Sequence, residues 1–337
     1  MRYDLEADWH LLNTCNYRCK YCFFSADVLG DKLRTFASPQ SWRSAFDATG
    51  KIWLLHMTGG EPSIYPQFVE FCQTLTERHY ISLNSNLTHS SYENFAQRID
   101  PSRVNFINAG LHLEEREERS GVTKFLRHSE LLRSKGFSII VSLVATPTAL
   151  ERFAEAIALL KPINLFPIPK LLRGRSGGQV YPKAYTELEK RRFGSFSAQA
   201  REFYRPILAR MAERPSIDMF HDDKFLGGVP SFHGSTCDAG HRFVQIKENG
   251  DVFRCSTAMK LGNVLEGTFA ARPAAAPCNT NYCFYFCRKY ARGGKEIGSG
   301  NSAKPPAVQQ LPGRRVGPSW QDVLLVAPGP DFPVKRR

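Results

Sequence analysis

The chain reads Cys15-Asn16-Tyr17-Arg18-Cys19-Lys20-Tyr21-Cys22 over residues 15–22, which places three thiols within eight residues. A closed zinc site takes four ligands, and a cubane [4Fe–4S] cluster also takes four, usually all thiolates. No fourth Cys or His follows nearby, because the first one after Cys22 is His56. A cubane held by three thiolates has one iron without a protein ligand, and that iron can bind a substrate or a cofactor. The alternatives are three reduced cysteines in an ordinary loop, or part of a zinc site that a distant residue completes.

The composition is that of a globular protein with a sizeable core. The chain has 337 residues, of which 42% are apolar, and this length suits one large α/β domain with a smaller one. An odd number of cysteines, nine, with tight spacing favours metal ligation in a reducing compartment over a disulfide framework. Cys72 stands alone, and we expect it to be a small core residue.

We expect a cytoplasmic protein without a membrane anchor. The first residues lack the apolar run of a signal peptide, and no apolar stretch is long enough to span a bilayer. The formal net charge is +13, and residues 288–337 contribute ten Lys and Arg against three acidic residues. Bound clusters would add negative charge that this count omits. The folded part would then be only mildly basic, so the charge does not require a nucleic-acid partner and we expect none, although it suits an anionic substrate.

Apolar runs alternate between strand-like and helical patterns over the first half of the chain. The predicted strands are residues 8–14, 51–57, 80–83, 103–107, 137–144 and 163–168, and the predicted helices are 39–48, 67–79, 125–135 and 151–160. Such alternation predicts a parallel sheet with right-handed crossovers. The expected fold is α/β, a partial (β/α)6 TIM-like barrel. In such barrels the chemistry lies at the carboxyl ends of the strands, and the polar and glycine-rich segments of this chain fall there.

The chain is predicted to divide into four parts. Residues 1–180 form the partial barrel and 181–232 a helical connector. Residues 233–292 form a small C-terminal domain that begins with a hairpin, because Glu248-Asn249-Gly250 is a turn signal between two short strands. Residues 293–337 form a basic tail rich in Pro and Gly, which we expect to be disordered.

Two sets of motifs in this order resemble the radical S-adenosylmethionine (radical SAM) superfamily over residues 8–180. They are the three cysteines with aromatic Tyr21 before the last of them, and Gly59-Gly60-Glu61-Pro62 at the end of the second strand. The resemblance implies that Cys15, Cys19 and Cys22 hold a [4Fe–4S] cluster whose open iron binds SAM. It further implies SAM contacts by Tyr21, by residues 59–62 through their backbone, and by Asn84 and Ser142. The glycines would allow close backbone approach.

Residues 237–290 are similar to the SPASM/twitch auxiliary domain of that superfamily. The similarity lies in Cys237-x12-Gly250-x4-Cys255, followed by Cys278, Cys283 and Cys287. It implies one auxiliary [4Fe–4S] cluster, held by Cys237, Cys255, Cys287 and one of Cys278 or Cys283, because too few thiols remain for two. The competing interpretation is a four-cysteine zinc site.

The resemblance implies an enzyme. A reduced cluster would pass one electron to SAM, giving methionine and a 5′-deoxyadenosyl radical that abstracts hydrogen from the substrate. The electron would come from an external donor of the flavodoxin or ferredoxin type. We expect a small anionic substrate of a biosynthetic pathway, such as a sugar or nucleotide, because the first motif leaves no room for a leader-binding domain and a second auxiliary cluster is missing. The alternatives are modification of a peptide or protein side chain, and an iron–sulfur sensing protein without turnover.

The segment 170–178 is a candidate anion site for such a substrate. Its glycines can present successive backbone amides, and Lys170, Arg173 and Arg175 add positive charge. A solvated loop is the alternative. Five further side chains are candidates for proton transfer, although a structural role is the more ordinary one for each: His112, Glu114, His221, Asp222 and Asp223.

Overall fold

The structure is a computed structural model that describes residues 1–22, 24, 29, 36–210, 219–228, 231–255, 259–279, 283 and 291–292. Within these residues a nine-stranded sheet forms the centre of the fold. Six of its strands are parallel and adjacent in chain order: β1 (Leu5–Leu12), β2 (Trp53–Gly59), β3 (Tyr80–Ser85), β4 (Val104–Gly110), β5 (Ile139–Val144) and β6 (Pro167–Lys170). The α/β class and the parallel sheet are confirmed, and this open, mostly parallel sheet fits a partial barrel.

Helices lie on both faces of the sheet. Those between the parallel strands pack on the face that carries Ile107, Val141 and Leu143, whereas the helix of residues 187–210 packs against Phe106, Ile140 and Ile168 on the opposite face. The helices are α1 (Pro39–Ala48), α2 (Phe68–Thr76), α3 (Ser91–Arg98), α4 (Leu113–Glu118), α5 (Val122–Ser134), α6 (Pro147–Glu151), α7 (Phe153–Leu160) and α8 (Glu187–Arg210). The sequence patterns gave no prediction for α3 and α4. None of the helices in the described ranges is both long and apolar enough to cross a membrane.

The two faces of β1 differ in chemistry. Its odd-numbered residues are apolar and buried, and Trp9 packs 4.6 Å from Trp42 and 5.2 Å from Phe46 of α1, between ring centroids. The even-numbered residues Glu6, Asp8 and His10 lie on the opposite face because side chains alternate along a strand. At β1 the sheet therefore has a hydrophobic core on one face and polar side chains on its inner face.

The polar inner face continues across neighbouring strands. Asp8 is in register with Gln245 on one side and His56 on the other, and His56 is in register with Ser82. All four are buried, and the Nε2 atom of His56 lies 2.6 Å from a carboxylate oxygen of Glu6. Beside this polar row, the same face carries Phe106, Ile140 and Ile168, which form a separate apolar cluster with Tyr204.

The sixth strand begins four residues later than predicted. Residues 161–163 form a 3-10 turn, and Asn164 adopts a left-handed conformation with φ of 52°. The strand β6 then contains Pro167 and Pro169, which lack the N–H group that a central strand needs. The edge position of β6 among the parallel strands suits these prolines.

The hairpin predicted around Gly250 is confirmed. Strands β10 (Phe243–Ile246) and β11 (Asp251–Phe253) are antiparallel, and Gly250 has a φ of 86°. Strand β10 also pairs in parallel with β1, so this hairpin and β12 (Lys260–Asn263) extend the central sheet. A second small sheet orders β13 (Ala276–Pro277), β9 (Thr236–Cys237) and β14 (Ala291–Arg292). The four-part division of the chain remains a prediction, and residues 293–337 lie outside the described residues.

Helix α8 lies within the segment predicted as a connector and also covers the sheet. Tyr204 is fully buried, and its hydroxyl donates to the Phe166 carbonyl at 2.7 Å. The glycine-rich segment before it forms a two-stranded hairpin of β7 (Gly174–Ser176) and β8 (Gln179–Tyr181). Gly177 and Gly178 form its turn with φ of 56° and 76°, as a tight hairpin with two left-handed residues requires.

Candidate active site

A cavity of about 250 Å³ opens at the carboxyl ends of the parallel strands. It brings together residues from β1 to β6 and from the cysteine segment, as expected for a barrel of this class. Among the predicted site residues, its lining includes Cys15, Cys19, Tyr21, Cys22, Gly59, Gly60, Glu61, Asn84, Ser142, Lys170 and Arg173. Residues from distant parts of the chain thus meet in one cavity.

The three cysteines of residues 15–22 lie in the wall of this cavity. Their sulfur atoms are half-buried and interact electrostatically with one another. The segment is held by its own hydrogen bonds, since Cys22 N–H donates to the Cys19 carbonyl at 2.9 Å and Arg18 donates to the Cys15 carbonyl at 2.5 Å. Burial raises the pKa of Cys15 to about 11 and that of Cys19 to about 12, so metal binding at these thiols must displace protons.

Gly59 and Gly60 allow two backbone segments to approach closely. A Cβ atom at Gly59 would lie 2.2 Å from the Leu12 carbonyl oxygen, and one at Gly60 would lie 2.0 Å from the Thr14 carbonyl oxygen. Two hydrogen bonds join the segments, from Gly60 N–H to Leu12 O at 2.7 Å and from Glu61 N–H to Thr14 O at 2.9 Å. The glycines therefore lock the end of β2 against the start of the cysteine segment.

The Glu61 side chain is buried and fully engaged by the protein. Its Oε1 atom accepts hydrogen bonds from Ser63 N–H at 3.0 Å, Ser63 Oγ at 2.5 Å and Ser85 Oγ at 2.7 Å. Its Oε2 atom accepts from Asn86 N–H at 2.7 Å. Glu61 thus ties the end of β2 to the end of β3, and Pro62 opens the 3-10 turn that follows.

Polar side chains at the ends of β2, β3 and β4 form a connected row. Asn84 donates to Thr58 Oγ1 at 3.1 Å and accepts from Asn108 Nδ2 at 2.7 Å. Asn86, two residues on, also lines the cavity and donates to Asn16 of the cysteine segment at 2.8 Å. Ser142 at the end of β5 is 6% exposed and lines the cavity as well. The Asn-Ser-Asn sequence therefore offers two asparagines to the cavity.

His112, one of the candidates for proton transfer, lies in the cavity beside the cysteine segment. Its Nδ1 atom lies 2.9 Å from the Tyr21 hydroxyl and 3.5 Å from the Cys19 sulfur, and its ring stacks on Tyr21. A Cβ atom at Gly110 would lie 2.3 Å from His112 Nε2, so the ring occupies space that this glycine leaves. Burial, with the charges of Arg116 and Lys170, lowers the pKa of His112 to about 3, and the ring is neutral at physiological pH.

Arg116 is a buried cation beneath the cysteine segment. It donates to the carbonyl of Gly110 at 2.8 Å, to the carbonyls of Leu111 and Asn86, and to the Tyr17 hydroxyl at 3.2 Å. Burial lowers its pKa to about 10, so it stays charged. Through these bonds it joins the ends of β3 and β4 to the cysteine segment, a role that its sequence context does not reveal.

The three predicted substrate residues fall in different environments. Lys170 and Arg173 line the cavity. Arg173 donates to Asp222 at 3.0 Å, and Asp222 is fully buried. Arg175 lies on β7, is exposed, and is absent from the described lining of the cavity. The structure therefore keeps Lys170 and Arg173 near the cavity and separates Arg175 from it.

The remaining candidates for proton transfer lie away from the cysteines or make structural contacts. Glu114 contributes to a small neighbouring pocket beside Tyr21. Asp222 accepts from Arg173 and from Leu171 N–H at 2.9 Å. Asp223 pairs with Arg201 at 2.9 Å, and His221 lies in the same irregular 3-10 segment.

The C-terminal cysteines gather around one small hydrophobic cluster. Cys237, Cys255 and Cys283 pack against Ala239 and Phe243, and the thiol of Cys237 interacts electrostatically with those of Cys255 and Cys278. Arg254 is 4% exposed and donates to the carbonyls of Ala239, Ala276 and Pro277, which joins the strands that carry these cysteines. Cys287 lies outside the described residues.

The donor sets of both cysteine groups suit iron–sulfur clusters. Soft thiolates favour Fe–S clusters or zinc over hard cations, and Tyr17 N–H already donates to the Cys15 sulfur at 3.4 Å. Across the described ranges, no three His, Cys, Asp or Glu side chains form a ready metal-binding group.

Comparison with known proteins agrees with this geometry. The family model described as the radical SAM superfamily matches residues 9–160. This segment, which is somewhat less than half of the chain, is therefore similar to a radical SAM domain. No curated protein matches the chain in sequence.

Solved structures share the fold. Native anSMEcpe with bound AdoMet matches with a TM-score of 0.51 at 16% identity, covering 80% of this chain and 81% of that chain. SuiB of Streptococcus suis bound to S-adenosylmethionine matches with a TM-score of 0.51 at 14% identity, covering 78% of this chain and 64% of SuiB. SuiB bound to the precursor peptide SuiA matches with a TM-score of 0.51 at 14% identity, covering 80% of this chain and 65% of SuiB. The alignment thus spans just under two thirds of SuiB, and such low identities show the fold alone.

Proposed function

We propose that this protein is a radical SAM enzyme that cleaves SAM reductively and abstracts hydrogen from a small anionic substrate. The observation that carries the proposal is the single cavity that holds the three cysteines, Gly59-Gly60-Glu61 and Asn84 together. When bound, a [4Fe–4S] cluster supplies the electron that breaks a carbon–sulfur bond of SAM, which gives methionine and a 5′-deoxyadenosyl radical. The protein supplies orientation and a shielded cavity.

Each group of residues has a distinct part in this proposal. Cys15, Cys19 and Cys22 hold the cluster as thiolates. The backbone at Gly59 and Gly60 receives the ammonium group of SAM, for which its carbonyl groups are suitable acceptors. Asn84 and Ser142 bind other polar groups of SAM. Tyr21 holds the cysteine segment next to His112, because its hydroxyl is hydrogen-bonded to the His112 ring.

Two further residues position this machinery without contacting SAM through their side chains. The Glu61 carboxylate accepts hydrogen bonds from Ser63, Ser85 and Asn86, so its side chain fixes the shape of the loop of residues 59–62. Arg116 fixes the ends of β3 and β4 through carbonyl groups. Rigid support of this kind holds binding groups in their productive geometry.

We further propose that the C-terminal cysteines hold one auxiliary [4Fe–4S] cluster and place the chain in the SPASM/twitch subgroup. The clustering of Cys237, Cys255, Cys278 and Cys283 around β9 and β10 supports this. Because the hairpin β10–β11 pairs with β1, such a cluster would lie on an extension of the same sheet. An external one-electron donor of the flavodoxin or ferredoxin type would supply the electron.

Modification of a peptide is the second candidate. It is favoured by the shared fold with SuiB, whose structure was solved bound to the precursor peptide SuiA. The two candidates differ in what should stimulate turnover, since a peptide enzyme needs an extended substrate and a small-molecule enzyme does not.

The test is substrate-dependent formation of 5′-deoxyadenosine. The anaerobically reconstituted protein is reduced with dithionite in the presence of SAM, and nucleotides, sugar nucleotides and short peptides are added in turn. We expect 5′-deoxyadenosine in the presence of SAM and a rise with a small anionic compound. Stimulation by peptides alone would favour the second candidate, and no SAM cleavage under any condition would refute the enzyme assignment.

A further inference from the structure

One part of the cavity wall is not used by the residues assigned to the cluster and SAM. It comes from β1 and from the carboxyl end of β6, and it consists mainly of Asp8, His10, Lys170, Leu171, Leu172 and Arg173. These strands are separated in the sheet by β2 to β5. Because they nevertheless line one cavity, the curvature of the sheet brings its two flanks to the same ligand space.

Lys170 supplies a cation to this wall that has no hydrogen-bond or ion-pair partner among the described residues. The residue is half-buried. Burial and the charge of Arg173 lower its pKa, while Asp222, Asp8 and the nearby Cys22 thiol oppose this change. A partly desolvated ammonium group facing a cavity is stabilised when an anionic group binds there.

The backbone that carries Lys170 is rigidly held. Asp222 accepts hydrogen bonds from Leu171 N–H at 2.9 Å and from Arg173 at 3.0 Å. The Tyr185 hydroxyl accepts from Leu172 N–H at 3.0 Å and donates to the Ala145 carbonyl at 2.6 Å. The pairing with Asp222 already neutralises Arg173, so the wall offers the charge of Lys170 to a ligand in a fixed place.

Asp8 supplies the complementary chemistry from β1. Its carboxylate lies 3.5 Å from His10 Nε2, and it is 7% exposed. Burial opposes its ionisation, but the hydrogen bond and charge of His10, with the charges of His56 and Lys247, outweigh burial and lower its pKa. Asp8 is therefore an anionic acceptor, and it interacts electrostatically with Lys170.

We propose that Lys170 and the Asp8–His10 pair form the substrate site, with Lys170 binding a phosphate or carboxylate group and Asp8 accepting from a hydroxyl or ammonium group. The ligand class is a small hydroxylated or aminated acid or phosphate ester. This inference rests on the proposed function in one respect, because cluster and SAM occupy the other residues of the cavity. It narrows the anion site predicted in residues 170–178 to Lys170, because Arg173 is paired with Asp222 and Arg175 is absent from the described lining of the cavity.

The experiment measures binding to the cluster- and SAM-loaded protein by calorimetry. The probes are ribose 5-phosphate and gluconate, which distinguish a phosphate from a carboxylate, and uncharged ribose as the reference. We expect at least one anionic probe to bind more tightly than ribose. Lys170→Gln should weaken that binding about 10- to 100-fold, the range for a charge-assisted contact, and Lys170→Arg should restore most of it.

The controls separate local from general effects. Lys135→Gln, at an exposed lysine after α5, should leave probe binding unchanged. Asp8→Asn should weaken both anionic probes, because each carries hydroxyl groups for the Asp8 carboxylate. Iron content of each variant shows whether the protein has folded and loaded its clusters.

The outcomes are decisive for the inference and for the proposed function separately. If neither anionic probe binds, or if Lys170→Gln binds them as the parent does, the substrate site is refuted. Binding of an acidic peptide alone would also refute the assignment to a small molecule. Formation of 5′-deoxyadenosine by the parent is measured in the same preparation. Failure of that reaction would refute the proposed function whatever the probes do.

Discussion

Replacing Glu61 tests whether its side chain shapes the loop of residues 59–62, which we propose to bind SAM. In Glu61→Gln, the amide oxygen can replace Oε1, which accepts from Ser63 and Ser85. The amide NH2 group then faces Asn86 N–H, which now donates to Oε2 at 2.7 Å. Two donors would meet in a site where Glu61 is 1% exposed. One buried unsatisfied N–H group costs about 1–3 kcal/mol, so the free energy of unfolding should fall by that amount.

Glu61→Ala should be the more severe change. It removes the acceptor from two buried N–H groups, those of Ser63 and Asn86, whereas the two hydroxyl groups can rotate to other partners. Two such groups predict a loss of about 2–6 kcal/mol. SAM should also bind more weakly to both variants, because Asn86 and the loop of residues 59–62 line the cavity.

The assay is urea unfolding of the anaerobic protein, followed by tryptophan fluorescence, together with a SAM titration. Glu70→Gln is the matched control, because Glu70 is an exposed acid in the first turn of α2 nearby. Surface changes of that kind alter stability by less than about 0.5 kcal/mol. Parent-like stability and SAM affinity in both Glu61 variants would show that the hydrogen-bond network does not shape the loop.

Three further predictions follow from the same structure. Gly60→Ala should abolish SAM binding and lower the melting temperature, because its Cβ would lie 2.0 Å from Thr14 O; retained binding would refute the close approach. The anaerobically reconstituted protein should hold about eight irons, as two cubanes require, and replacing Cys15, Cys19 and Cys22 by Ala should remove about half; about four irons with stoichiometric zinc in the parent would refute the auxiliary cluster. Burial lowers the pKa of His79 to about 4, so the folded state binds fewer protons than the unfolded state. The free energy of unfolding should therefore fall as pH drops from about 6.5 to about 4. The same dependence of this free energy on pH in His79→Asn would contradict the prediction.

The strand order and the positions of most site residues could be predicted because they depend on local patterns. Apolar runs locate the strands, and in a parallel sheet the residues that follow each strand meet at one edge. For this reason Asn84, Ser142 and Lys170 could be placed near the cysteines from sequence. Strand β6 was predicted too early because an apolar run was given more weight than Pro167 and Pro169.

The parts that could not be predicted depend on contacts between distant segments. His112 was only one of several candidate residues until Gly110 and Tyr21 were seen to surround its ring. Arg116 lies in an acidic helix whose sequence is typical of a solvated surface, yet it is completely buried. Asp8 is one of three acidic residues near the start of the chain, and only the register of β1 shows that it faces the cavity.

The pairing of β10 with β1 is a further long-range feature. A hairpin signal predicts two adjacent strands, but it does not contain information about which sheet edge they join. The residues of β10 between Phe243 and Ile246 are buried on both sides, and burial of both faces is typical of a parallel strand inside a sheet. That apolar character is the signal that favours an extension of the central sheet.

The most direct test of the central claim is reductive SAM cleavage by variants in which one cysteine is replaced. The parent, Cys19→Ala and Cys72→Ala are reconstituted anaerobically, reduced with dithionite in the presence of SAM, and assayed for 5′-deoxyadenosine. Cys72 is a fully buried core thiol of α2, so its variant controls for the loss of a thiol. We predict formation by the parent and by Cys72→Ala and none by Cys19→Ala, whereas cleavage by Cys19→Ala at the parent rate would contradict the account.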